Sequence, residues 1–226
     1  MSSKLILFAA FVLSMFLMSL NYRKKRKKIV FFGDSITEQG ARPGGYITRI
    51  LRHLKEYAID DDYELVGAGV FGDKVYDLYL RMDEDILSKG ADIVVIYIGV
   101  NDVWDKVAKL TGTEVEKFEK FYDAIINKIL SAGIKVVLCT PSLIGENLDG
   151  NQYEDELEMY SHVIKSLAVK HDLEVIDLRN AFVSYNLTNN PDNAEQGILT
   201  VDMVHLNDKG NQLVADEMWK VLQNIK

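Results

Sequence analysis

Cysteine is almost missing from this chain. The one thiol, Cys139, excludes an intrachain disulfide. It sits in the apolar run Val136-Val-Leu-Cys139, where a buried strand residue is expected. Acidic residues are missing from positions 1–28, which hold seven of the 26 basic residues. The remainder therefore carries 19 cations against 34 acids, a net of −15, and this excludes nucleic-acid binding by the globular part. No glycine-rich loop ends in Gly-Lys-Ser/Thr, so Gln39–Gly45 is not a nucleoside-triphosphate loop. Gly67-Ala-Gly-Val-Phe-Gly-Asp73 lacks the spacing of a dinucleotide fingerprint. No Gly-x-Ser-x-Gly pentapeptide occurs, which sets aside the α/β-hydrolase elbow. No internal repeat is apparent.

A long hydrophobic run is present once. Leu5 to Leu20 is apolar over 16 residues apart from Ser14 and Ser19, and Arg23-Lys-Lys-Arg-Lys-Lys28 follows it. A secretory signal has a similar start, but no clear small-x-small cleavage site precedes the basic block. The flanking charge favours an uncleaved membrane anchor, with secretion or periplasmic release after cleavage as the alternative. Residues 1–28 are read as this segment and 29–226 as the globular domain.

From there the chain alternates strand and helix five times. Strands are expected at 28–32, 63–66, 91–98, 134–140 and 173–177. Helices are expected at 46–57, 74–88, 114–132, 153–170, 180–185 and 207–223, from apolar stripes such as Val75, Leu78, Tyr79, Met82 and Ile86. This order implies a three-layer α/β/α sandwich around a five-stranded parallel sheet of flavodoxin-like order 2-1-3-4-5.

Three successive strands run into polar corners marked by glycine: Gly33-Asp34-Ser35, Gly67–Asp73 and Gly99-Val-Asn101-Asp102. Parallel strands put all three on one edge of the sheet, where open α/β sheets bind ligands. A nucleophilic serine needs a base and a group to orient that base. His53, His162 and His171 fall on or beside expected helices. His205 falls in a loop, three residues after Asp202, a spacing that lets the carboxylate reach the near imidazole nitrogen. The plainer alternatives stand beside these roles. Asp34 or Ser35 starts a helix, Asp202 or Asn207 caps the last one, and Gly69 and Asn101 serve turns. As donors to an oxyanion, the Ser35 N–H, the Gly69 N–H and the Asn101 amide are the candidates.

Gly-Asp-Ser-Ile near the start, Gly69-x-x-Gly72, Gly99-x-Asn101-Asp102 and Asp202-x-x-His205 together resemble the four sequence blocks of the SGNH, or GDSL, hydrolases. The resemblance spans about residues 29–223. Gly67 departs from it, standing where many members have asparagine. What the resemblance implies is a serine ester hydrolase that needs no metal or cofactor. Ser35 would be the nucleophile, His205 the base and then acid, Asp202 its orienter, and Gly69 and Asn101 the rest of the oxyanion hole. The substrate would be a small-molecule ester: a short acyl ester, an acetylated sugar or a lysophospholipid. Asp34, Arg42, Tyr46 and Trp104 adjoin the corners and are candidates to line the pocket, with loops 143–150 and 186–196 as its rim. A non-catalytic binding module on the same fold is the alternative function.

Overall fold

A computed structural model describes residues 25–225. Five strands form one parallel sheet: β1 (Lys27–Gly33), β2 (Tyr63–Gly69), β3 (Ile93–Tyr97), β4 (Lys135–Cys139) and β5 (Glu174–Ile176). Their spatial order is β2-β1-β3-β4-β5, as the alternating pattern implies. Central β3, Ile-Val-Val-Ile-Tyr, is buried throughout, which is why it reads as an unbroken β-branched run. Edge strands β2 and β5 keep partly exposed positions. Among the described residues, eight helices flank the sheet: α1 (Ser35–Gly40), α2 (Tyr46–Glu56), α3 (Val75–Met82), α4 (Val100–Lys109), α5 (Val115–Ser131), α6 (Glu154–His171), α7 (Leu178–Asn189) and α8 (Asp208–Leu222). Helices α2 and α8 pack together on one face, and α3, α5 and α6 pack in succession on the other. Cys139 is fully buried in β4, and that burial pushes its thiol pKa up and keeps it neutral.

Two helical segments exceed the sequence reading. Residues after Gly99, read as a corner, continue as α4; Val100, Val103, Trp104 and Val107 carry helical spacing, but Asn101-Asp102 looks like a turn pair. The segment read at 180–185 extends over Leu178–Asn189, because Asn186 turns inward and is fully buried. Conversely, α3 ends at Met82 and passes into a π-turn at Asp83–Leu87. The boundary drawn at residue 28 falls inside β1, which begins at Lys27. The run Leu5–Leu20 lies outside the described residues. Among the described residues, no helix is long and apolar enough to cross a membrane.

Register brings the corners to one level. Gly33 pairs with Gly69 on one side and with Tyr97 on the other, so β1, β2 and β3 end side by side. Arg81 on α3 then ties the ends together. Its guanidinium donates to the Gly33 carbonyl (2.7 Å), the Ala68 carbonyl (3.1 Å) and the Asp73 carboxylate (2.6 Å), and lies over the Phe32 ring at 4.5 Å. Asp102, wholly buried, accepts the Val75 N–H on both oxygens (3.2 Å each), joining the start of α4 to the start of α3. Asp34 caps α1 by accepting the Ile36 N–H (2.9 Å). Burial, reinforced by the charges of Asp102 and Asp73 and opposed by the Ile36 N–H, raises the Asp34 pKa from 3.8 to about 7.

Two outcomes follow. A Cβ on Gly69 would lie 2.1 Å from the Glu38 nitrogen and 2.5 Å from the Asp34 carbonyl, so α1 can sit against β2 only if residue 69 is glycine. Gly69→Ala is expected to lower stability by about 1–3 kcal/mol or more, read by urea unfolding. The raised Asp34 pKa makes the folded state hold its proton more tightly than the unfolded chain. The stability this supplies is complete below about 3.8 and lost as pH rises through about 7. Asp34→Asn keeps the capping oxygen and removes the charge, so its unfolding free energy should fall less than that of the wild type between about pH 5 and about pH 8.

Candidate active site

Ser35 is the first residue of α1 and is 4 % exposed, with its hydroxyl at the helix N-terminus and the carboxyl edge of the sheet. The two readings of Gly33-Asp34-Ser35 are therefore compatible: Asp34 does cap the helix, and this capping aims Ser35 into the cleft. From the far end of the chain, His205 Nε2 lies 3.0 Å from Ser35 Oγ. His205 Nδ1 lies 2.7 Å from Asp202 Oδ2. The other Asp202 oxygen accepts the backbone N–H groups of His205 (2.7 Å) and Val204 (3.2 Å). Partial burial works to raise the Asp202 pKa, but these N–H donors and the imidazole outweigh it and hold the carboxyl below its ordinary range. An ionised Asp202 fixes the proton on Nδ1 and leaves the Nε2 lone pair facing the serine hydroxyl. Asn207, not Asp202, caps the last helix, accepting the Gly210 N–H at 3.0 Å.

The Asp202–His205 turn is tight. Met203 takes a left-handed backbone (φ 76°), the Val201 N–H reaches the His205 carbonyl (2.8 Å), and Thr200 bridges Leu206. A buried carboxylate supports it from behind. Glu146 accepts the N–H groups of Ile198 (3.1 Å), Leu199 (2.9 Å) and Thr200 (2.7 Å) and the Thr200 hydroxyl. Beside it, the Gly145 N–H bonds the Met203 carbonyl at 2.9 Å. Loop 143–150 thus braces the histidine loop. Neither it nor 186–196 contributes to the lining of the cleft, in contrast to the rim expected of them.

The cleft over Ser35 has a volume of about 310 Å³. Asn101, Asp202 and His205 line it with Ser35, as do Phe71, Gly72, Trp104, Asp105, Lys109 and Val204. Asn101 lies in the first turn of α4, and its amide donates to the Asp73 carbonyl at 3.0 Å. Gly72, not Gly69, is the glycine at this wall. Gly69 is packed against the backbone of α1, whereas Gly72 has φ 81° and open space where a Cβ would be. The signal was present in Gly69-x-x-Gly72, but the spacing alone does not say which glycine faces the cleft.

The four pocket candidates separate. Trp104 lines the cleft, stacked on Tyr153 (5.4 Å between centroids, 9°). Asp34 lies beneath Ser35 as the cap. Tyr46 is fully buried, bonds Thr37 Oγ1 (2.9 Å) and packs edge-on against Phe31 and Tyr97. Arg42 is exposed and paired with Glu38 (2.7 Å). Neither Tyr46 nor Arg42 reaches the lining: α2 begins by turning Tyr46 into the core, and Arg42 is held at the surface by Glu38. Sequence reasoning missed Phe71 and Gly72, whose exposure depends on the conformation of the five-residue loop 70–74, and Asp105 and Lys109, which lie on the unanticipated helix α4. Among the described residues, no group of three or more His, Cys, Asp or Glu side chains is placed to hold a metal ion.

Comparisons with known proteins agree with this architecture. The GDSL-like lipase/acylhydrolase family matches residues 31–213. An acetylxylan esterase of Geobacillus stearothermophilus is 28 % identical over 209 residues, 84 % of this chain and 90 % of its own length. The crystal structure of the acetyl xylan esterase AlAXEase is 54 % identical, covers 86 % of this chain and 99 % of that one, and superposes with a TM-score of 0.84. A variant of an acetyl xylan esterase from Geobacillus stearothermophilus is 26 % identical, with 86 % and 93 % coverage and a TM-score of 0.76. With four sequence blocks meeting on one sheet edge and a family match across most of its length, the chain belongs to the GDSL-like lipase/acylhydrolase family.

Proposed function

We propose that this protein hydrolyses acetyl esters of carbohydrates through an acyl-enzyme on Ser35. The observation that carries the reading is the unbroken line from Asp202 through His205 to Ser35, at 2.7 and 3.0 Å. His205 Nε2 takes the serine proton as Oγ attacks the ester carbonyl, and Asp202 balances the imidazolium that forms. The tetrahedral oxyanion is received by the Ser35 and Gly72 N–H groups and the Asn101 amide. Imidazolium then gives its proton to the departing sugar oxygen. Water, deprotonated by the same nitrogen, releases acetate and restores the serine.

Support for the substrate class comes from the relatives, which are named as acetyl xylan esterases, and from the size of the cleft, at the small end of ligand sites. The strongly acidic body suits a neutral carbohydrate better than a polyanion. Attachment to a membrane through residues 5–20 is part of the same proposal. Strand β1 starts at Lys27 on the amino edge of the sheet, while Ser35 stands at the opposite, carboxyl edge. A tether entering there, with the basic block 23–28 held on the cytoplasmic side, turns the cleft away from the bilayer, toward a soluble oligosaccharide rather than a lipid.

Ser35→Ala is expected to lower hydrolysis of an acetylated xylo-oligosaccharide by about 10⁴–10⁶-fold and to abolish labelling by a fluorophosphonate. Asn101→Ala should cost about 10²–10³-fold in kcat. Full ester hydrolysis by Ser35→Ala would end the serine mechanism, and a wild type that takes no label would favour a binding module. For the tether, cell fractionation and mass spectrometry of the mature N-terminus should find an intact chain in the membrane fraction; a chain beginning after Leu20 overturns it.

A further inference from the structure

Phe71 lines the cleft and is yet 72 % exposed, an aromatic side chain with no core to cover. It is not loose. Its N–H is held by Glu38 Oε2 at 3.0 Å, and Glu38 is itself paired with Arg42. The next residue is Gly72, on the wall of the cleft. The phenyl ring lies almost parallel to the His205 imidazole, with centroids 6.2 Å apart and planes at 13°. The ring thus stacks on the catalytic imidazole and stands with it on the wall of the cleft that holds Ser35.

In an acyl transfer the general acid must come within hydrogen-bond reach of the leaving oxygen, about 3 Å from His205 Nε2. The alcohol of the ester therefore lies against the imidazole, and the next surface along that flank is Phe71. A pyranose presents apolar C–H faces that match an exposed aromatic plane, while its hydroxyls remain in water at the open mouth. We infer that Phe71 is the platform for the sugar ring on the alcohol side, a specificity-determining residue that selects an acetylated pyranose over an acyclic ester. This rests on the carbohydrate-ester reading above and assigns that reading a residue.

The test compares the wild-type full chain with Phe71→Ala and Phe71→Trp on peracetylated xylopyranose and on vinyl acetate, with thermal unfolding as the control for folding. Phe71→Ala is expected to lose about tenfold more kcat/KM on the sugar ester than on vinyl acetate, mostly through KM, and Phe71→Trp should restore it. Equal losses on both esters, or a displaced pH profile of kcat, would mean that the ring only screens the Asp202–His205 pair and would overturn the inference. No loss on either ester overturns it too. A wild type that cleaves vinyl acetate but no sugar ester removes the carbohydrate reading and this inference with it, while leaving the Ser35 chemistry intact.

Discussion

A 3.0 Å contact between residues 170 positions apart, Ser35 and His205, is what the rest of the molecule is arranged to hold. Neither side chain reaches the other by local structure. Ser35 is placed by β1, by the Asp34 cap and by the glycine that lets α1 lie against β2. His205 is placed by a turn whose left-handed residue, Met203, is held by a carbonyl bond to Gly145. A hydrogen bond of this kind contributes little net stability on its own, about 1 kcal/mol. Its geometry must be imposed by everything around it.

Much of that imposition uses buried or half-buried ionisable groups. Arg81 gathers the ends of β1 and β2 and the Asp73 loop onto one guanidinium, and Asp102 joins the two helices that start at the cleft. Glu146 does the same work for the histidine loop through donors from three consecutive residues. Groups so buried are costly to leave unpaired, so each admits few arrangements of its partners. Asp34 and Asp102, both raised to about 7 chiefly by burial, show that this precision works against stability near neutral pH.

The sheet order was legible because β-branched runs separated by amphipathic stripes leave few topologies. The meeting of Ser35, Asp202 and His205 was legible because parallel strands share an edge and Asp-x-x-His closes within one turn. The glycine at the wall was not. Gly69 and Gly72 look alike in sequence, and only backbone dihedrals and the packing of α1 tell them apart. Tyr46 reads as a candidate to line the pocket yet lies in the core, because its position at the start of α2 aims it inward. Glu146, in a loop expected at the pocket rim, is wholly buried. Such residues depend on what other segments place around them, which no local pattern records.

The claim on which everything turns is that the ester's acyl group passes through Ser35. Rapid acid quenching of the wild-type protein during turnover of an acetyl ester, followed by peptide mapping, tests it most directly. One acetyl group on the peptide containing Ser35, absent when His205 is replaced by alanine, is the expected result. Steady hydrolysis with an unmodified Ser35 under conditions where deacylation is slow would contradict it.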